Sequence, residues 1–345
     1  VLVSAGDDRW LRAAALKALG TRSALKFVTA VLDADAQPSD SLLLELASYV
    51  RRSGDDDAGL LLTGYVREQS RPLKFQLAEG LGEGELAGGD LAAAAELARR
   101  RSAAASAERL AAIRLAIRSG EDELVAELLK RQPGEPVAVQ RAVLIALDEG
   151  PQGQEADAVL TAFGNIDESL KTLAAEWFLG TEKGALALLR AIDRGEIDAA
   201  VVSPEWVKRL RASRSEELRD LAQKLFVEQG SGAGDRAAVM TRYRPALELA
   251  GDAEKGRGLY LARCSTCHRS GDDGFAFGPD VESFKSAGKE SILGNLLDPN
   301  KEVQPAYRSH LIELVDGVTL SGIVKSTDLS SVTVGMIGGI ERAIP

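Results

Sequence analysis

Helix after helix fills roughly residues 1–245, with Ala and Leu spaced at i, i+3 and i+4 and almost no β-branched alternation. That periodicity limits the stretch to an all-α architecture. Its segments close alike: 10–20, 42–54, 72–82, 110–120, 139–150, 170–180 and 218–230 end at Gly20, Gly54, Gly82, Gly120, Gly150, Gly180 and Gly230. Glycine stops a helix because it enters the left-handed conformation at the C-cap without a Cβ clash. These glycines recur at intervals of about 28 to 50 residues, the range of stacked helical hairpins rather than of a coiled coil or a bundle. The expectation is an irregular α-solenoid, a scaffold whose units share one apolar core and offer a long surface to a partner. A non-repetitive helical domain satisfies the same pattern, since every helix has to end.

Composition removes two function classes. A net charge of −10, with no run of Lys or Arg interleaved with aromatics, argues against a nucleic-acid surface. Hydrophobic residues make up 45% of the chain but come in short groups such as 143–147, far below the roughly 18 apolar residues of a membrane span. The small, polar stretch 229–235 is the best linker candidate. It suggests a helical-repeat scaffold over 1–245 and a second domain over 246–345.

Within that second domain, Cys264-Ser265-Thr266-Cys267-His268 takes both cysteines of the chain and one of its two histidines. C-x-x-C-H is the attachment signature of a c-type haem. Two thiols three residues apart on one helical turn each add to a haem vinyl group, and the next residue turns its imidazole to the iron. A zinc site needs four protein ligands, or three and a water, and the other histidine, His310, is remote in sequence. A thioredoxin-type C-x-x-C lies at the end of a strand in a βαβ context, whereas the segment before Cys264 has a helical pattern. The expected cofactor is one covalent haem c, with Cys264 and Cys267 as tethers and His268 as proximal ligand. Thioether attachment is carried out on the outer side of the energy-transducing membrane, so the motif implies a periplasmic or otherwise exported protein.

The flanks agree with that expectation. A helix capped by Asp252 would run to the motif and place Gly256, Tyr260 and Cys264 on one face. A glycine-rich loop over 271–278 follows, and the carbonyl of Pro279 is the candidate acceptor for Nδ1 of the axial imidazole; a proline that merely stiffens a turn is the alternative. Phe275 and Phe277 either pack on the porphyrin or fill core. From about residue 308 the pattern turns to β: strands over 311–315 and 318–325 around a type I′ turn at Asp316-Gly317, then 332–336 and 340–344 around Gly338-Gly339.

Gly256 to Tyr260, the run from Cys264 to Arg269, Gly278-Pro279-Asp280, Ile292 to Leu297, Asp298-Pro299-Asn300-Lys301-Glu302-Val303, Tyr307, and Asp316-Gly317 with Leu320 and Gly322 carry a resemblance. On them the stretch 251–345 resembles the Pirellula/Verrucomicrobium-type haem-binding (CxxCH) cytochrome c domain of planctomycete-like bacteria. The helical stretch more loosely resembles HEAT-type repeats, with Arg12, Arg141 and Lys74 in places comparable to the arginine that opens their second helices. The resemblance implies a mainly α protein: a HEAT-like solenoid followed by a cytochrome c-type domain with a small antiparallel β-meander. It also implies a Met-Pro segment beyond Pro345 that supplies the sixth iron ligand, so that the domain is cut short here. Within the chain the distal candidates are Met336, Met240 and His310, although Met336 is in phase with Val332 and Val334 as a core-facing strand residue.

The resulting expectation is an electron-transfer module rather than an enzyme in its own right, serving a redox partner protein or a fused dehydrogenase domain. The alternatives are a helical-repeat interaction scaffold in which haem is minor, and a haem enzyme with an open distal site. No Ser-His-Asp set, phosphate loop or paired carboxylates stand in a catalytic frame.

Overall fold

The computed structural model describes residue 16 and residues 24–34, 37–82, 88–101, 105–130, 132–149, 156–226, 236–299, 303–327 and 331–344. The chain is mainly helical, with a small antiparallel sheet at its C-terminal end. It divides into two compact units, Val1–Leu128 with Gln132–Gly150, and Leu129–Arg131 with Pro151–Pro345. The second unit therefore runs through residue 245 without a division. The segment 10–20 apart from Leu16, Arg12, Gly20, Gly150, Gly230 and the linker candidate 229–235 lie outside the described residues.

The first unit carries α1 (Ala24–Leu32), α2 (Asp40–Ser53), α3 (Asp56–Glu68), α4 (Lys74–Leu81), α5 (Gly88–Arg99), α6 (Ala107–Arg118), most of α7 (Glu123–Leu129) and α8 (Val137–Glu149). Ser39, Asp55 and Ser106 start their helices by accepting the free N–H groups of Leu42, Ala58 and Arg109. Asp55 also accepts from the Leu25 N–H at 2.9 Å, so one carboxylate serves the first turns of two helices. Gly54 and Gly82 close α2 and α4 in the left-handed conformation expected of them, at φ 65° and 86°. Gly120 is also left-handed but follows the cap Ser119 of α6.

Four pairs pack two places apart, α1 on α3, α2 on α4, α4 on α6 and α6 on α8, while α5 packs on its neighbour α6. Leu43, Leu46, Leu62, Leu77, Ile113, Leu115 and Leu144 fill the interior. Charges follow the same rows. Arg114 and Arg118, one turn apart on α6, reach Glu79 on α4, at 2.5 Å from Arg114 Nε, and Glu149 on α8. Arg109 is fully buried, paired with Glu135 at 3.0 Å and donating from Nε to the Ala98 carbonyl at 2.9 Å. Burial, with Arg114 close by, lowers the Arg141 pKa to about 10. Lys74 is a surface residue paired with Asp90.

The second unit opens with α9 (Ala156–Ala162), α10 (Lys171–Leu179), α11 (Glu182–Asp193), α12 (Pro204–Arg211) and α13 (Glu216–Leu225), whose interior holds Trp177, Phe178, Leu188, Trp206 and Leu218. Gly180 is the C-cap of α10, in right-handed conformation. Helix α13 stops at Leu225 with Phe226 as its cap, short of the glycine expected to end it. Then come α14 (Arg236–Tyr243), α15 (Ala253–Arg263) and α16 (Gly288–Leu297). Neither α15 nor α16 buries a single side chain. Leu249, Leu259 and Leu296 are 71%, 66% and 67% exposed, an unusual surplus of uncovered leucine in so short a stretch.

Two strands, β1 (Arg269–Ser270) and β2 (Asp273–Gly274), form a short antiparallel ladder inside the loop that the sequence marks only as glycine-rich. The C-terminal sheet is a four-stranded antiparallel meander of β3 (His310–Glu313), β4 (Thr319–Thr327), β5 (Val332–Met336) and β6 (Ile340–Ile344), in chain order. One face carries the buried Leu320, Val334, Met336 and Ile340, and Ile323 is buried on the other. The β3–β4 connection differs from the expected type I′ turn. Leu314 N–H donates to Val318 O at 2.8 Å, leaving a three-residue loop, and only Gly317 has positive φ, at 86°. A type I′ turn needs two such residues, and Asp316 does not supply the second.

Candidate functional site

The C-x-x-C-H run sits where α15 ends. Asp252 accepts from the Lys255 N–H at 3.0 Å and starts the helix, and Cys264 is its C-cap. One further turn follows, with the N–H groups of Cys267 and His268 donating to the Cys264 carbonyl at 3.1 and 2.9 Å. Tyr260, one turn before Cys264, donates its hydroxyl to the His268 carbonyl at 2.6 Å. Gly256 faces open space: a Cβ there would meet nothing within 4 Å, so no described helix crosses it closely.

The last two residues of the motif and Arg269 after them are joined to three consecutive residues of the following loop. Gly278 N–H donates to the Cys267 carbonyl at 2.6 Å. His268 Nδ1 lies 2.8 Å from the Pro279 carbonyl oxygen. Arg269 holds Asp280 through Nε and a terminal nitrogen, both at 3.1 Å. A carbonyl can only accept, so Nδ1 carries the proton and Nε2 of the neutral ring keeps its lone pair. The backbone N–H of Glu282, then Arg269, hold the Asp280 carboxyl below the usual carboxylate range.

Glycine is required beside the imidazole. A Cβ at Gly278 would lie 2.5 Å from His268 Cε1 and 2.8 Å from Nδ1. At Gly274, where φ is +84°, a Cβ would lie 2.1 Å from the His268 carbonyl oxygen. Phe275 packs on the β5–β6 turn, where a Cβ at Gly339 would meet its ring at 2.5 Å. Phe277 is half-buried.

The two thiols are free. Burial raises the pKa of Cys264, and burial followed by the charges of Glu176 and Cys264 pushes Cys267 up to about 12. A redox-active C-x-x-C lowers its thiol pKa, commonly at a helix N-terminus; here the first cysteine caps a C-terminus. Among the described residues no group of three or more His, Cys, Asp or Glu side chains is placed to hold a metal ion, which leaves a zinc reading without its ligand set.

The distal candidates are dispersed. Met336 is 5% exposed, in the sheet core beside Val334. Met240 on α14 approaches α16, with its Cε 3.9 Å from a Cβ placed at Gly294. His310 is exposed at the start of β3, opposite Gly322.

Several residues that hold this site gave no sequence signal. Thr266, between the cysteines, donates its hydroxyl to the Ser169 carbonyl, and its own carbonyl accepts from the Gly338 N–H at 2.9 Å. Thr319, at the start of β4, donates its N–H to the Gly180 carbonyl at 2.9 Å and accepts from Arg209 at 2.6 Å. No family model, curated protein or solved structure matches the chain.

Proposed function

We propose that this chain is an electron-transfer module carrying one covalent haem c, held by thioethers to Cys264 and Cys267 with His268 as the proximal iron ligand. The observation that carries the reading is the bond between His268 Nδ1 and the Pro279 carbonyl. It fixes the tautomer that presents Nε2 to a metal, orients the ring and raises its donor strength, which is what an axial histidine requires. Gly278 leaves room for that ring and no more.

The surroundings fit such a group on a second count. Helices α15 and α16 and the stretch between α14 and α15 leave leucines uncovered that a free-standing domain would bury. A macrocycle tethered at Cys264 and Cys267 supplies the apolar surface such side chains lack. Once bound, the group provides a one-electron ferric–ferrous couple whose potential depends on the second axial ligand. Met336, one of the distal candidates, is packed in the sheet core.

Residues 246–345 read, on this proposal, as a cytochrome c domain of the Pirellula/Verrucomicrobium type in an exported, periplasmic setting. The packing of α1 on α3, α2 on α4, α4 on α6 and α6 on α8 supports a HEAT-like solenoid, the scaffold over 1–245, that presents it to a redox partner or a fused dehydrogenase domain. Among the described residues no helix is long and apolar enough to cross a membrane. A pyridine haemochrome spectrum of the chain exported from a host with cytochrome c maturation tests the reading. A c-type spectrum in the wild type that is lost in the Cys264→Ser, Cys267→Ser double variant supports it; a wild-type chain with no haemochrome bands sinks it.

A further inference from the structure

We propose that α10 is the platform on which the attachment loop is set, and that Thr266 is the positioning residue that locks the loop to it. The inference rests on the haem-attachment reading for its functional meaning, and on the contacts of this chain for its geometry.

Two separate bonds tie the C-terminal segment to the two ends of α10. At the entrance, Ser169 sits in the turn before the helix, its N–H and hydroxyl both bonded to Asp167 Oδ1 at 3.1 and 2.7 Å, and its carbonyl accepts the Thr266 hydroxyl. At the exit, the carbonyl of the cap Gly180, one of the orphan acceptors every helix end leaves, is satisfied by the Thr319 N–H at 2.9 Å. The anchors are 11 positions apart, about 16 Å along a helix axis. Arg209 braces the second anchor, reaching Thr319 Oγ1 at 2.6 Å and Glu313 at 3.6 Å. Helix α15 packs against residues 168–170 at the first.

Thr266 and Thr319 are 9% and 4% exposed, and among the described residues of the C-terminal segment only Ser265 joins them as a buried polar side chain. Polar groups are buried where their bonds are specific, because a hydroxyl or amide taken from water without a partner is costly. Thr266 is bonded on both sides, to the platform through its hydroxyl and to the β5–β6 turn through its carbonyl. The two-residue spacer of the motif is thereby clamped between a helix and the sheet. The clamp bears on the two thiols at different distances along the chain. Cys267 directly follows the clamped residue, while Cys264 stands two positions before it as the cap of α15; both thiols are half-buried. Helices that precede the motif by about 90 residues thus set the attitude of the residues that would hold the cofactor.

The test uses the haem-free full chain made in a reducing compartment, with iodoacetamide as the probe and peptide mapping to score each cysteine. In the wild type Cys267 is alkylated far more slowly than in the same chain unfolded in guanidinium. Thr266→Val keeps the branched shape, removes the hydroxyl and strands the Ser169 carbonyl; Thr266→Ser keeps the hydroxyl. Loss of one such bond raises the open population, and hence the Cys267 labelling rate, roughly threefold to tenfold in the Val variant. Cys264 keeps its wild-type rate, and Thr266→Ser restores Cys267 to within twofold of wild type. Wild-type Cys267 labelled as fast folded as unfolded overturns the proposal without recourse to a variant. So does a Val variant that matches wild type, or a Ser variant that labels as fast as Val. Haem content, scored separately by mass on the exported chain, keeps the two readings apart: no haem with a working clamp removes the function and leaves the platform.

Discussion

Gly278→Ala is the sharpest perturbation of the site, because it adds one methyl group at a backbone that accepts it. Gly278 is not among the residues with positive φ, so the substitution acts by space alone. The new Cβ would fall 2.5 Å from His268 Cε1, 2.8 Å from Nδ1 and 3.1 Å from Nε2, against an ordinary carbon contact of about 3.5 Å. The ring has to retreat by about 1 Å, which takes the 2.8 Å bond from Nδ1 to the Pro279 carbonyl past its working range. Overpacking of this kind costs about 1–3 kcal/mol, measurable as a lower midpoint of guanidinium unfolding in the haem-free chain. In the haem-carrying chain, loss of a hydrogen bond worth about 0.5–1.5 kcal/mol weakens imidazole donation. The reduction potential then rises by about 20–65 mV, on 59 mV per tenfold for one electron. Redox titration of wild type and variant reads this directly. A variant with wild-type stability and an unmoved potential refutes the placement of the imidazole against Gly278.

Tyr260→Phe removes the hydroxyl that holds the His268 carbonyl and lowers unfolding stability by about 1 kcal/mol with an unchanged m-value, seen by denaturant titration. In the first unit, Glu135→Ala leaves the fully buried Arg109 without its carboxylate partner and costs about 3–5 kcal/mol, visible as a fall in melting temperature. The Glu108 carboxylate accepts the Phe75 and Gln76 N–H groups, and desolvation by burial is the larger influence and raises its pKa above 4.5. The folded chain then holds this proton more tightly than the unfolded chain. Stability from Glu108 is present below about pH 4.5 and is lost as pH rises through the elevated value, so Glu108→Gln flattens stability against pH across that window in calorimetry.

Much of the local architecture was legible because it is written in local chemistry. Gly54 and Gly82 mark helix ends since only glycine takes the left-handed cap freely, and Asp252 marks a start since its carboxylate reaches an unpaired N–H. The β-meander followed from alternation in 332–336 and the glycines after it. Turn geometry was less legible: Asp316-Gly317 favours type I′, but the register of β3 against β4 leaves three residues to the loop, and Gly317 alone takes positive φ. Helix α13 ended early because Phe226, not a glycine, takes its cap. The pairing of His268 with Pro279 lies within 11 residues and could be anticipated from the chemistry of an axial imidazole. The clamp of Thr266 on Ser169 spans 97 residues, and that of Arg209 on Thr319 spans 110. Threonines and serines of this kind look like surface polar residues in a one-dimensional pattern. Only packing reveals that they are buried and paired.

Covalent attachment at Cys264 and Cys267 is the central claim, and the mass of the denatured chain tests it most directly. The full chain, exported in a host with cytochrome c maturation and stripped of loosely bound haem with acidified acetone, is weighed intact and then as its motif peptide. One haem added to the peptide that contains Cys264 to His268, and absent when both cysteines are serine, is the predicted result. A wild-type chain at its bare polypeptide mass, from a host that loads a control cytochrome c in the same cells, contradicts it.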